Sequence, residues 1–488
     1  MSDTINQSRD LISSKSAQLQ WRSSKLFTLF VVDFAIFTDS FLYGLIVPLA
    51  PSALHGRAGL SKDESQQWTA ILLALYGSAL VILSPTIGYF SDKLQARRSL
   101  FLSGLAFLAT ATALLCIGSH IALWIVGRIL QGASGAIVWT AGMSLLVHTF
   151  EADELGRVMG STSMAMVIGC MVGPILGGVL YQYGSYYAPY AFSFGLITLD
   201  FGFRLIIADE KRALGDAAIE GVPVARVGNT KLGQSREEEE DGKPTEEIKH
   251  VHSLQQRYDT CATSTAEETY MSSDITLLPA KRGRMVTLLR DPKMIGLLWL
   301  YLVTSLIVTA FDSFLPVFVQ DTFGWEQAAQ GLIFVTLIIP NLFDSVSGYV
   351  IDKWPQSKRY VTACGLVTSV PLFVCLRFVD HNTIQDKVLL CALLALIALC
   401  VGITQSPIMV QVSCLVRDIE VRRPGVFGKG GADAMAYGLL NSSFALGSVI
   451  APFLGGFLRA KAGWATMCWV LALPAGASGL LALFLFGE

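Results

Sequence analysis

Gly169-Cys170-Met171-Val172-Gly173-Pro174-Ile175-Leu176-Gly177-Gly178 lies inside an apolar run that carries no charge between Gly160 and Tyr181. A run of that length can cross a bilayer as a helix, which takes ~20 residues. Its glycines present surface without side chains, so a neighbouring helix can approach closely. Pro174 removes one backbone hydrogen bond and bends the helix. Downstream the pattern nearly returns, as Gly447-Ser448-Val449-Ile450-Ala451-Pro452-Phe453-Leu454-Gly455-Gly456. Each copy falls near the end of one hydrophobic half. The pair predicts a molecule of two similar halves, with these helices packed at the seam between them.

Composition agrees. Hydrophobic residues make up 52% of the 488 and charged residues 15%, with a mean hydropathy of +0.53. A soluble domain carries about 25% charge. Here the charge is gathered into a few polar stretches, which is the signature of a polytopic membrane protein. The net charge of −2 gives no indication of a nucleic-acid partner. Eight of the nine cysteines (116, 170, 364, 375, 391, 400, 414 and 468) sit in apolar runs and read as small core residues. The six histidines have no paired helical spacing, so no metal site is expected. No cofactor is expected either. Gly425–Gly430 is the nearest approach to a phosphate-binding loop, and its spacing is wrong. That argues against a pump driven by its own ATP hydrolysis, and no catalytic constellation is present.

Residues 1–25 read as a disordered N-terminus, and no cleavable signal peptide is evident. Apolar runs follow at roughly 26–50, 67–91, 99–118, 121–147, 157–181 and 188–208. A polar stretch over 209–292, with Glu237–Glu240 and many Ser, Thr and Lys, reads as a disordered linker. Six further runs lie at roughly 293–320, 329–351, 360–380, 387–415, 434–458 and 465–486. The expected fold is an all-α membrane protein of twelve transmembrane helices, in pseudo-symmetric six-helix halves over 26–208 and 293–486. With the N-terminus inside, the short inner segments hold 15 Lys and Arg and the outer loops 5. By the positive-inside rule both termini are cytoplasmic.

Ionisable groups inside spanning helices are expensive, so each is a candidate site. Asp39 sits mid-way along helix 1 and Asp312 mid-way along helix 7, both ahead of an apolar segment ending in proline. A carboxylate at that depth loses the hydration of its charge, so it can bind and release a proton within the physiological range. A buried, permanently protonated or paired acid is the alternative. Arg128 on helix 4, followed by Gln131-Gly132, has no acid within one turn and needs a partner on another helix, or water. Gln405 on helix 10 and Asn441 on helix 11 either bind substrate or bond across helices. Asp344 and Asn341 form a polar stripe on helix 8 that either lines a pore or packs. Asp33 is placed to reach headgroup water. Asp200 and Arg204, four apart, are expected to pair.

The loop after helix 2, Gly88-Tyr89-Phe90-Ser91-Asp92-Lys93-Leu94-Gln95-Ala96-Arg97-Arg98, resembles the loop signature of the major facilitator superfamily. Gly348-Tyr349-Val350-Ile351-Asp352-Lys353, followed by Lys358-Arg359, resembles its degenerate copy after helix 8. Arg128-Ile129-Leu130-Gln131-Gly132 resembles the superfamily's helix 4 motif, and the stretch from Gly169 to Gly178 its helix 5 antiporter motif. The resemblance implies that Asp92 and Arg98 tie helix ends together on the cytoplasmic face, and that these contacts break on inward opening. Within the superfamily, Asp39-Ser40-Phe41-Leu42 with Ile46–Pro51 looks like helix 1 of the vesicular amine transporters, beside the proton-coupled drug exporters. Asp312 matches that group's helix 7 acid. Its helix 10 acid corresponds here to Gln405, its helix 2 lysine to Gly77 and its helix 11 acid to Asn441. The last two are thought to pair in that group; losing both leaves no orphan charge, and "monoamine transporter" does not carry over. The long charged linker looks more like fungal members.

The reading is a monomeric secondary transporter that exports a small organic molecule by exchange with protons. It would rock two halves about a central cavity, in the plasma membrane rather than a vacuolar or vesicular one. Asp39 and Asp312 exchange protons for substrate, Arg128 gates, and Gln131, Gln405 and Asn441 line the path. Gly88, Asp92, Arg97 and Arg98 form the gating loop, and Gly169, Gly173, Pro174, Gly177 and Gly178 the antiporter motif. The alternative is a facilitator or proton symporter that imports a nutrient or organic acid. A transporter-like receptor without flux is a third class.

Overall fold

Proline, glycine and capping residues decide where each helix starts, bends and stops. The computed structural model describes residues 24–94, 97–206, 283–325, 329, 332–428 and 430–486; the side chains at 62, 63, 66, 97, 98, 312–314, 316, 317, 453 and 455–462 are outside the described set. The expected N-terminal tail and most of the expected linker therefore fall outside it. Its last residues do not: Arg284–Leu289 form a short helix with Leu288 buried, and Arg284 Nε donates to the Phe427 carbonyl at 2.9 Å.

The first set of helices is α1 (Lys25–Ala58), α2 (Lys62–Leu94), α3 (Arg97–Ile117), α4, α5 (Leu155–Gly184) and α6 (Ala188–Ile206). α4 runs from Ile121–Ile137 through a π-turn, Val138–Gly142, into Met143–Thr149. The second set is α7 (Pro292–Phe323), α8 in two segments (Phe334–Asn341 and Asp344–Lys353), α9 (Ser357–Leu376), α10 in two segments (Ile384–Gly402 and Gln405–Arg422), and the run Asp433–Leu485. That run is divided by Gly463, whose φ of 78° and ψ of 175° only glycine adopts readily; the part before it is α11 and the part after it α12. Among the described residues, eleven spans are long and apolar enough to cross a membrane. The twelfth, α6, is 19 residues long and has its hydropathy lowered by Asp200 and Arg204.

Local chemistry explains the ends. Asp291 caps α7 by accepting from Lys293 N at 2.8 Å, with Pro292 in the first turn. Gly59 and Gly324 close α1 and α7 in the left-handed conformation, φ 70° and 68°. Thr383 caps α10 by accepting from Asp386 N at 3.1 Å. Prolines inside helices free the carbonyl four residues back, and two of these find serines on other helices. The Val81 carbonyl, freed by Pro85, accepts from Ser442 Oγ of α11 at 2.6 Å. The Ile403 carbonyl, freed by Pro407, accepts from Ser347 Oγ of α8 at 2.7 Å.

The apolar core is not evenly distributed. At the end that carries Lys93, Lys353, Lys358 and Arg422, here called the basic end, one buried cluster runs across both sets, from Val31, Ile137 and Leu155 to Met409, Leu440 and Phe427. Towards the opposite end there are two large clusters. One lies within the first set around Phe41, Leu49, Trp124 and Tyr190, the other within the second around Phe311, Phe373, Leu394 and Leu471. The sets are joined at the basic end and have separate cores at the other.

Candidate functional site

Three helices of the first set bring an acid, a phenol and a guanidinium together. α1 carries Asp39, 1% exposed, α2 carries Tyr76, and α4 carries Arg128, 0% exposed. Tyr76 Oη donates to Asp39 Oδ2 at 3.2 Å. Arg128 Nε donates to the Leu72 carbonyl of α2 at 3.2 Å, and Nη1 to Gln131 Oε1 one turn on at 2.6 Å. The guanidinium carbon lies 5.3 Å from the Tyr43 ring centre and 5.1 Å from that of Tyr76, within cation–π range. Glycine makes the assembly possible. A Cβ at Gly132 would meet the Tyr76 carbonyl at 2.7 Å, and one at Gly135 would meet Asp39 Oδ2 at 2.9 Å. Asp39 Oδ1 and Arg128 Nη2 are buried without a hydrogen-bond partner. A carboxyl oxygen and an N–H are thus left over in one buried cluster, so it can hold a proton or a polar ligand. Gln131, expected only to line the path, is the acceptor for Arg128. Tyr76 went unnoticed, because a lone tyrosine carries no sequence signal.

The second set contributes differently. The backbone of Asp312 is in α7, while its side chain is outside the described residues. Packing fixes its level: Gly169 of α5 meets the Phe37 carbonyl of α1, and Gly447 of α11 meets the Leu302 carbonyl of α7 in the same way. Asp39 therefore corresponds to Thr304. Asp312 lies eight residues, roughly 12 Å, further along, and the two acids are not symmetry mates. Gln405, 4% exposed, opens the second segment of α10, with Oε1 unpartnered. Asn441 Nδ2 donates to Ser84 Oγ of α2 at 2.9 Å, so it bonds across helices. Gly77 faces Val449, whose Cγ2 a Cβ would meet at 2.5 Å. Gly77 and Asn441 share the α2–α11 face about two turns apart, and they do not oppose each other.

At the basic end the two sets are latched twice. Asp92 is 0% exposed and accepts from the backbone N–H groups of Ala434 at 3.1 Å and Met435 at 2.9 Å, in the first turn of α11. Asp352 accepts from Gly156 N at 2.6 Å and Arg157 N at 2.7 Å, in the first turn of α5. Each carboxylate caps the positive end of a helix from the other set. Glycines set the approach: a Cβ at Gly88 would meet the Ala434 carbonyl at 2.5 Å, and one at Gly348 would run into the Gly156 carbonyl. The side chains of Arg97 and Arg98 lie outside the described residues. Beside the second latch, Lys25 Nζ donates to Glu154 Oε2 at 2.9 Å, which holds that carboxyl below its usual range.

The family model described as the Major Facilitator Superfamily matches residues 32–420. The chain belongs to the major facilitator superfamily. An "MFS-type transporter ppzB" from Metarhizium rileyi is 29% identical over 480 residues, 96% of each chain. A vesicular acetylcholine transporter from Drosophila melanogaster is 26% identical over 202 residues, 37% of this chain and 35% of that one. The crystal structure of the human organic anion transporter MFSD10 superposes with a TM-score of 0.65 at 17% identity, over 95% of this chain and 100% of that one, and so shares the fold. This superfamily member is a multi-pass membrane transporter.

For this transporter, the placement expected of the antiporter motif needs correction. A Cβ at Gly169 would meet the Phe37 carbonyl at 2.6 Å, one at Gly173 would run into the Phe41 carbonyl, and one at Gly177 would meet the Leu45 carbonyl at 3.0 Å. All three residues face α1, inside their own half. Pro174 Cδ would lie 2.8 Å from a Cβ on Gly44. Gly178 faces open space. The seam belongs to the preceding turns of α5, where Gly156 and Gly160 meet α8. The reason is helical: glycines spaced by four form one stripe, and here the stripe from Gly169 to Gly177 turns to α1.

Other charges also sort themselves. Asp33 is partly buried, and its oxygens accept from Ser161 Oγ at 2.5 Å and Thr162 Oγ1 at 2.9 Å on α5. Asp200 and Arg204 pair through two bonds, 2.9 and 2.6 Å, as their spacing predicts. The eight described cysteines are free thiols. In the α9–α10 turn Asp380, His381 and Asp386 come close enough for a metal. Asp386 there already accepts from His381 N at 2.8 Å and Thr383 Oγ1 at 3.0 Å, which is helix capping.

Proposed function

We propose that this transporter exports a small organic molecule in exchange for protons, with both termini and the basic end facing the cytoplasm, in the plasma membrane. The observation that carries the reading is the buried Asp39–Tyr76–Arg128 cluster. A proton fits on the unpartnered Asp39 Oδ1. When it leaves, the Tyr76 hydroxyl and the nearby guanidinium support the carboxylate, and a substrate amine or hydroxyl can replace it. The Tyr43 and Tyr76 rings supply an apolar wall. Asp312, Gln405 and Asn441 complete the set we assign to the path, and Gly88, Asp92, Arg97 and Arg98 to the gate. In this cycle substrate enters from the cytoplasm when the Asp92 and Asp352 latches release, and leaves when they re-form. The six-helix halves, 26–208 and 293–486, rock about the site.

A screen of toxic and secreted metabolites in cells lacking native exporters identifies a substrate. Its proton-gradient-driven uptake into inside-out vesicles should vanish in Asp39→Asn; undiminished gradient-driven uptake in that variant would remove Asp39 from the mechanism. A second reading, movement of an organic anion with protons, is favoured by the unpartnered Arg128 Nη2. The direction of flux under an imposed proton gradient separates the two.

A further inference from the structure

α8 and α10 break at the same level, and each break completes the other. Asp344 opens the second segment of α8 and is 1% exposed. Its Oδ2 accepts from Ser406 Oγ at 2.7 Å and its Oδ1 from Ser406 N at 3.3 Å. The reciprocal contact is Ser347 on the Ile403 carbonyl. Two buried amide oxygens flank this level without a donor: Asn341 Oδ1 and Gln405 Oε1. The amide orientation of Asn341 is fixed, because its Nδ2 donates to the Leu337 carbonyl at 2.7 Å. Both leftovers are acceptors. A carboxylate only accepts, whereas a carboxylic acid also donates. The protonated form of Asp344 adds a donor to a level whose leftover groups are acceptors.

Among the described residues, the groups facing Asp344 from the packed elements are Ser406 of α10, Ser163 of α5 and the Tyr301 phenol of α7. None of them carries a positive charge. The acid also borders the seam: a Cβ on Gly160 of α5 would meet the Asp344 carbonyl at 3.0 Å, and Ser345 Oγ donates to the Gly160 carbonyl at 3.0 Å. Parting α5 from α8 uncovers it.

We infer that Asp344 is a second proton-carrying site, which holds a proton while the basic end is closed and passes it to water at that end when α5 and α8 separate. The O–H bond of the carboxyl breaks and the proton goes to that water. The inference rests on the proton-exchange reading, with a different acid as carrier.

The test is infrared difference spectroscopy between acidic and alkaline pH, on the purified full chain in lipid vesicles, with H+ and D2O as the only probes. Asp344→Asn should lose one component of the buried-carboxyl band while the component lost in Asp39→Asn persists. Ser406→Ala should keep the Asp344 component and move it to higher wavenumber, because a hydrogen bond to the carboxyl is gone. Asp352→Ala removes two charge-assisted bonds from the seam, so deuterium should reach the Asp344 component at least about tenfold faster. An Asp344→Asn spectrum that superimposes on the wild type overturns the inference and leaves the Asp39 reading standing. An unchanged exchange rate in Asp352→Ala overturns the proposed release route. A band lost in Asp344→Asn but not in Asp39→Asn supports Asp344 and removes Asp39 as the carrier.

Discussion

Asp352→Ala should loosen the basic end by an amount that can be worked out. The carboxylate accepts two backbone N–H bonds, 2.6 and 2.7 Å, from the first turn of α5. A hydrogen bond to a charged group contributes a net ~1.5–3 kcal/mol. The pair would then contribute ~3–6 kcal/mol, with the lower figure more apt because Asp352 is only half-buried and its donors regain water on opening. About 3 kcal/mol is roughly a hundredfold in the closed-to-open ratio. Ser163 of α5 is 2% exposed beside Met409 of α10, so its accessibility reports the separation. In a cysteine-depleted background, Ser163→Cys should react with an impermeant maleimide from the basic end about a hundredfold faster when Asp352→Ala is added. Asp352→Asn, which keeps one acceptor, should fall between. Equal labelling rates with and without Asp352→Ala would refute the latch.

The other expectations are simpler. Gly173→Leu should insert and express but lose coupled transport, since its side chain would push into the α1 backbone; Gly178→Leu faces open space and should transport normally. Arg128→Lys keeps the charge and loses the fork that holds the Leu72 carbonyl and Gln131; fluorescence-detected gel filtration should show a folded protein, and uptake assays little transport. Arg128→Ala leaves those two neutral acceptors buried and unpaired, which costs about 1–3 kcal/mol each and should lower the melting temperature in detergent. Tyr76→Phe removes the donor to Asp39 and should change the pH profile of uptake without changing expression.

The helices were legible because a bilayer forces long apolar runs, and the loop signature was legible at Gly88 and Asp92. The acceptor half of each latch could be read, since Asp92 and Asp352 are side chains. The donor half could not, because the backbone N–H groups of Gly156 and Ala434 leave no mark in the sequence. Asp39 and Arg128 stood out as charges in apolar runs. Their link through Tyr76 depends on how α2 lies between α1 and α4, which local periodicity does not encode. The partners of Asp33 stay hidden for the same reason: Ser161 and Thr162 are ordinary residues until α5 is laid against α1. The break of α10 at Pro407 is answered by Ser347, which is distant in the sequence, so neither half of that contact shows locally.

The interlocked breaks of α8 and α10 bear on how the chain is built into the membrane. Asp344 and Ser406 are 62 residues apart. During synthesis at about 5–20 residues per second, α8 waits roughly 3–12 s for its partner segment. Over that interval an acid near mid-bilayer costs ~2.5–3.5 kcal/mol on the insertion scale. α8 alone is a poor passenger in lipid, and the insertion machinery must shelter it until α10 arrives. A substitution at Pro407, which sets the break that α8 answers, would then register first as increased degradation of newly made chains.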